Sequence, residues 1–89
     1  MLSITSHKGF QMKFANGWTV SIQFGPGNYG STRDLAWNAP ATMERLDSAT
    51  AEIAAWDADG KWFDFGNDKV AGYQTADEVA AFISKVSAF

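Results

Sequence analysis

The sequence has no cysteine. That removes disulfides, thiolate metal sites and cysteine nucleophiles together, and it suits a reducing compartment. It has a single histidine, His7, and no serine or carboxylate is tied to it by spacing. A catalytic triad or a histidine general base therefore has no support. No apolar run approaches the ~18–20 residues of a membrane span, and no signal-peptide pattern opens the chain, so a cytoplasmic location is the expectation. A basic excess is missing too. The net charge is −3, and the electrostatic footprint of a nucleic-acid binder is absent.

What charge there is sits unevenly. Residues 1–33 hold Lys8, Lys13 and Arg33 and no acid, while all ten acids fall within residues 34–89. A chain of 89 residues suits one domain. At that size roughly 60–65% of the unfolded surface is buried, enough for one modest core. Four tryptophans are many for that core. Some should fill it and some should be left at the surface.

The stretch from Gly9 to Gly30 organises the rest. Asn16-Gly17 stands between two alternating apolar runs, the strongest short hairpin signal. A two-residue loop would put Gln11 and Lys13 on the same face as Val20 and Ile22. A three-residue loop, residues 15–17, pairs Phe14 with Trp18, Met12 with Val20 and Phe10 with Ile22. Every large apolar side chain then points one way, and Gln11, Lys13, Thr19, Ser21 and Gln23 point the other. Strand side chains alternate with period two, so the second register is chosen, with Gly17 left-handed.

The same logic recurs at Asp57-Ala58-Asp59-Gly60. It predicts a second hairpin from residues 50–57 and 61–66, pairing Asp57 with Lys61 and Trp56 with Trp62. Ile53, Ala55, Phe63 and Phe65 share one face. Glu52, Ala54, Trp56, Trp62 and Asp64 share the opposite one. Residues 1–8 are a short opening strand or a loose end, residues 70–73 a short last strand, and residues 43–47 have room for one helical turn. Thr75-Ala76-Asp77-Glu78 is a capping box, followed by Val79, Phe82, Ile83 and Val86 at amphipathic-helix spacing. That helix should lie on Met12, Val20, Ile22, Ile53, Phe63 and Phe65. The expected fold is α+β: an antiparallel sheet of four to five strands, in two hairpins, with one C-terminal helix on one face.

Two motif-like segments have simpler readings. Gly25-Pro26-Gly27-Asn28-Tyr29-Gly30 matches G-x-G-x-x-G, but no apolar-striped helix and no parallel βαβ unit follows, so a glycine-rich bend is expected instead of a cofactor loop. Asp57, Asp59 and Asp64 lack the third acidic position and closing glutamate of a calcium loop, and hairpin turn chemistry accounts for them. No cofactor, no metal and no catalytic residue is expected. The irregular connection from residue 25 to 48 is long enough to be functional. It either reaches a partner or folds back over the open face with Trp37 against the tryptophan pair.

The segments KGFQMKFANGWTVSIQFGPGNY, TAEIAAWDADGKWFDF and VAGYQTADEVAAFISKV resemble small proteins encoded by bacteriophages and prophages. The likeness runs from Lys8 to Val86, apart from the loop near residues 31–46. It carries no catalytic signature. It implies a phage or prophage genomic setting, in which small proteins that are not virion parts often bind and block a host protein, including CRISPR and other defence machinery.

Three functional expectations follow. The first is a non-catalytic protein-binding module that occludes a host defence or nucleic-acid-processing complex. Its contact surface would be the open sheet face plus the loop. Asn28 and Tyr29 would lie at the loop apex, and Tyr29, Trp37, Trp56 and Trp62 would be anchors. Arg33 would be a fork donor, and Glu52, Asp57, Asp59 and Asp64 an acidic rim. The second is a nucleotide or small-molecule sponge with Asn28, Tyr29 and Arg33 lining its site. The third is an assembly component that self-associates as a homo-oligomer. Direct nucleic-acid or membrane binding is not expected in any of them.

Overall fold

A computed structural model of the chain describes residues 1–5, 8–37 and 46–89. His7 and most of residues 43–47 lie outside the described residues. Five strands form one sheet in chain order: β1 (Leu2–Ile4), β2 (Gly9–Lys13), β3 (Thr19–Gln23), β4 (Thr50–Trp56) and β5 (Ala71–Thr75). Every neighbouring pair is antiparallel. One helix, α1 (Ala76–Ser87), packs on one face. The α+β architecture expected from the apolar periodicity is the one observed.

The first hairpin has the three-residue register. Phe10 faces Ile22 and Met12 faces Val20. Phe14 N–H donates to the Trp18 carbonyl at 2.8 Å, and Gly17 sits at φ +88°. The second turn matches it: Asp57 N–H donates to the Lys61 carbonyl at 2.9 Å, Trp56 bridges Trp62, and Gly60 sits at φ +80°.

The second hairpin is shorter than expected. Residues 61–66 make only the Trp56/Trp62 bridge and a hydrogen bond from Phe63 N–H to the Ala55 carbonyl. The reason is competition for one strand edge. Thr50, Ala51 and Ile53 pair with Thr75, Gln74 and Ala71 of β5. Only the end of β4, Ala55 and Trp56, is left for the hairpin arm, which then leaves the sheet so that Phe63 and Phe65 meet Phe82. The last strand is therefore Ala71–Thr75, starting one residue and ending two residues beyond the expected 70–73, and it ends on the residue that caps the helix.

Helix α1 begins with the capping box read from the sequence. Thr75 Oγ1 accepts from Glu78 N–H, and Glu78 Oε1 accepts from Thr75 N–H. Phe82 and Val86 are buried against Val20, Ile22, Ile53 and Ala55, with Val79 and Ile83 at the margin. Each such side chain removed from water contributes about 1.5–3 kcal/mol. The helix has no glycine after its last turn; Ala88 follows at φ −99°. Its end is closed from outside. Asn16, in the first hairpin turn, donates through Nδ2 to the Val86 carbonyl at 2.9 Å, with longer contacts to the carbonyls of Ser87 and Phe89. Those are the orphan acceptors that every helix terminus must place somewhere.

The helix lies over β3, β4 and β5. It does not reach β1 or β2: Phe10 and Met12 of β2 are half-buried at the margin of the core, and Leu2 and Ile4 of β1 are bare on the helix side. An apolar cavity of about 270 Å³ lies beside the helix, between Val79 and Ile83 on one wall and Phe10 and Phe24 on the other. No helix among the described residues is long and apolar enough to cross a membrane.

Candidate functional site

The face opposite the helix is built in three rows running across the strands, because residues paired in register point the same way. The middle row is Ser3, Gln11, Ser21 and Ala54. Ser21 and Ala54 are small and only 7% exposed, which makes this row a shallow floor. One outer row is Lys13, Thr19, Trp56 and Trp62. The other holds Gly9, Gln23 and Glu52. Glu52 and Trp56 stand four residues apart on β4, roughly 13 Å at the usual strand rise. The outer rows are thus the walls of a trough.

The tryptophan wall follows from the ladder. Trp56 and Trp62 fall between the hydrogen-bonded positions marked by Asp57 with Lys61 and Ala55 with Phe63, where opposed side chains stand closest. Their ring centroids are 5.0 Å apart with planes tilted by 33°. Trp62 remains 43% exposed, and neither ring enters the helix-side core. Lys13, at the other end of the row, lines a small dip of about 160 Å³ with Met1, Ser3, Gln11 and Thr19.

The opposite wall is held by the loop after β3. Tyr29 N–H donates to Glu52 Oε2 at 2.9 Å, and the Tyr29 carbonyl accepts from Tyr73 N–H at 2.8 Å. The loop can lie this close because position 72 is glycine. A Cβ there would stand 2.7 Å from the Tyr29 Cβ. Tyr73 itself takes a positive φ of 55°, uncommon for a bulky residue and consistent with a backbone bent at the β4/β5 irregularity to meet the loop. Gln23 completes this side, accepting from Thr5 Oγ1 and donating to Ser21 Oγ.

The expected site residues fall into two groups. Trp56, Trp62, Asp57, Asp59 and Asp64 cluster around the second turn. Asn28, Tyr29, Arg33, Trp37 and Glu52 belong to the loop wall. Arg33 lies with its guanidinium carbon 5.4 Å from the Tyr29 ring. Trp37 does not lie against the tryptophan pair. Its ring packs on Gly27 and carries Lys8 Nζ 4.0 Å from its centre, and it is 70% exposed.

Several of the acids already have local partners. Asp57 Oδ1 accepts from the N–H groups of Asp59 and Lys61. Asp64 Oδ1 accepts from Gly66 N–H, and Asp64 Oδ2 pairs with Lys69 Nζ at 3.3 Å. These two contacts, the Gly66 N–H first, hold the Asp64 carboxyl below the usual carboxylate range. Turn chemistry accounts for the acidic spacing, and no group of three or more His, Cys, Asp or Glu that could hold a metal is gathered among the described residues.

The glycine-rich segment is likewise used inside the fold. Gly25 N–H donates to Thr32 Oγ1, Gly27 N–H to the Arg33 carbonyl and Asn28 N–H to the Gly25 carbonyl. The amides that cradle a phosphate in a nucleotide loop are thus engaged, and the Glu52 carboxylate stands where an anion would sit. This arrangement weighs against the nucleotide reading.

The sequence did not point to the Ser21/Ala54 floor, to Thr19 and Lys13 as neighbours of Trp56, or to Tyr73. Strand order would have found the first three, since β3 lies between β2 and β4. No local signal marks Tyr73. No family model matches the chain, and neither a curated protein nor a solved structure does.

Proposed function

We propose that the protein is a non-catalytic protein-binding module whose trough-shaped open face docks on a partner protein. The observation that carries this reading is the Trp56/Trp62 pair, in mutual ring contact yet with Trp62 half-exposed, beside small buried residues and a polar rim. Interface hot spots are built this way, with large aromatic anchors ringed by polar groups. Asp57 and Asp59 extend past the pair and suit a basic surface on the partner. The resemblance to phage-encoded proteins narrows the partner class to a host defence or nucleic-acid-processing complex, blocked by steric occlusion.

The test is affinity capture from the native host with the wild-type chain, Trp62→Ala and Ser84→Ala, the last on the exposed side of α1 across the sheet from the trough, each checked for folding by circular dichroism. The reading expects one dominant partner that is lost with Trp62→Ala and kept with Ser84→Ala. Capture undiminished by Trp62→Ala would sink it.

A further inference from the structure

The two edges of the sheet are treated differently. Edge β5 is closed: its ladder is irregular, and Tyr73 N–H is taken by the loop. Edge β1 is open: it is short, which is one usual protection, but Leu2-Ser3-Ile4 carries neither a charge, a proline nor a bulge. Leu2 and Ile4 are 73% and 85% exposed.

The hydrogen-bond parity of β1 is fixed by its ends. Met1 exchanges both backbone bonds with Lys13, and Thr5 N–H donates to the Gly9 carbonyl. In an antiparallel ladder such pairs alternate, so Ser3 takes the next bonded position against Gln11. The N–H and C=O groups of Leu2 and Ile4 therefore face outward, and no described residue pairs with them.

The geometry points to a second copy of this chain as the partner of that edge, joined across a two-fold axis at Ser3. An isologous contact requires a surface that matches itself. Set antiparallel about Ser3, Leu2 of one copy meets Ile4 of the other, and the four outward groups on each strand find their complements. Ser3 then faces Ser3 at a non-bonded position. The apolar rows are completed by the same step. Ile53, Ile22, Phe10 and Ile4 form one row on the helix side, and Ala55, Val20, Met12 and Leu2 form the next. Each is buried at its β4 end and bare at β1. The two-fold axis joins the bare end of the first row to the bare end of the second, on the side the helix leaves uncovered. A two-fold axis normal to the sheet keeps both helices on one side and both tryptophan pairs on the other, so the dimer is independent of the docking reading.

The chain has no cysteine, so a single introduced thiol reads the register directly. Residues opposed at a non-bonded antiparallel position stand about 4.5 Å apart at Cα, within disulfide range. Under mild oxidation Ser3→Cys should give a covalent dimer rapidly, while Asn67→Cys, in an exposed turn, should not. Light scattering should give wild type about twice the 9.7 kDa chain mass. Ile4→Pro should return it to the monomer with unchanged circular dichroism, since that N–H serves no bond within the chain. Ile4→Lys should do the same by charge. A wild-type monomer at every concentration would overturn the proposal. So would Ser3→Cys crosslinking no faster than Asn67→Cys, or dimers persisting in both Ile4 variants.

Discussion

Residues 15–17 and 58–60 are both three-residue turns that end in a left-handed glycine. In both, a side-chain oxygen accepts backbone N–H groups: Asn16 from Trp18, and Asp57 from Asp59 and Lys61. They part company in what else that side chain can do. An asparagine keeps an NH₂ group with donors to spare, whereas an aspartate has only acceptors. Asn16 spends those donors on the carbonyls that end α1, some seventy residues away in the chain. Asp57 has no such second duty. Each side chain fastens its own turn, Asn16 from inside the loop and Asp57 from the residue before it, but only Asn16 also ties its hairpin to the helix.

The largest expected effect comes from exchanging the two side chains. Asn16→Asp keeps the turn acceptor, loses the donors and sets a negative charge against the negative end of the helix dipole. It should cost about 2–3 kcal/mol. That is a drop of very roughly 8–24 °C in Tm for a domain of this size. Asp57→Asn keeps an acceptor and should cost less than about 1 kcal/mol. Urea titrations of both variants check this, and equal losses would erase the distinction between the turns.

The glycines sharpen the same contrast. Either Gly→Ala change forces a left-handed alanine, a cost of about 1–2 kcal/mol. At Gly17 a Cβ would also stand 3.2 Å from the Ala58 Cβ, because the two turns touch there, whereas at Gly60 it would meet nothing within 4 Å. Gly17→Ala should therefore be the more destabilised of the two in thermal melts. The reverse order would mean that the second turn is the tighter one.

These sites show what the sequence could and could not carry. Both turns, both registers, the capping box and the faces assigned to Trp18, Trp56 and Trp62 were legible, because each follows from alternation or spacing within a few residues. The length of the second hairpin was not. It depended on β5 taking the β4 edge, a competition between segments distant in sequence. The open face was legible as a list of side chains, but its trough shape required the order β2-β3-β4, which sets Ser21 beside Ala54. Trp37 offered no periodicity to place it, and its seat on Gly27 is a contact inside an irregular loop. The double use of Asn16 had no local mark at all, since Asn-Gly is already explained by the turn.

The exposed pair above the second turn should matter less to stability than the tie at the first. Trp62→Ala removes one cross-strand aromatic contact, about 0.5–1.5 kcal/mol. A loss well above that in urea would mean that the pair is part of the core and not a surface anchor.

The smallest expected effect is in pH, and it lies in the segment that follows the second turn. The Asp64 carboxyl is held below the usual range by the Gly66 N–H and then by Lys69. Glu78 is lowered likewise by the backbone and hydroxyl of Thr75. A carboxylate favoured in the folded state adds stability in full above the ordinary carboxylate range. That contribution is lost as pH falls through the lower folded value. Both groups are solvent-exposed, so the increments are small. Wild type should therefore exceed Asp64→Asn in melting temperature at neutral pH, and the gap should close on acidification. Molar salt should remove the Lys69 share of the gap and leave that of the Gly66 hydrogen bond, because screening acts on the separated charges. A gap that widened toward acid would reverse the sign, and with it the assignment of Asp64 as an ionised turn acceptor.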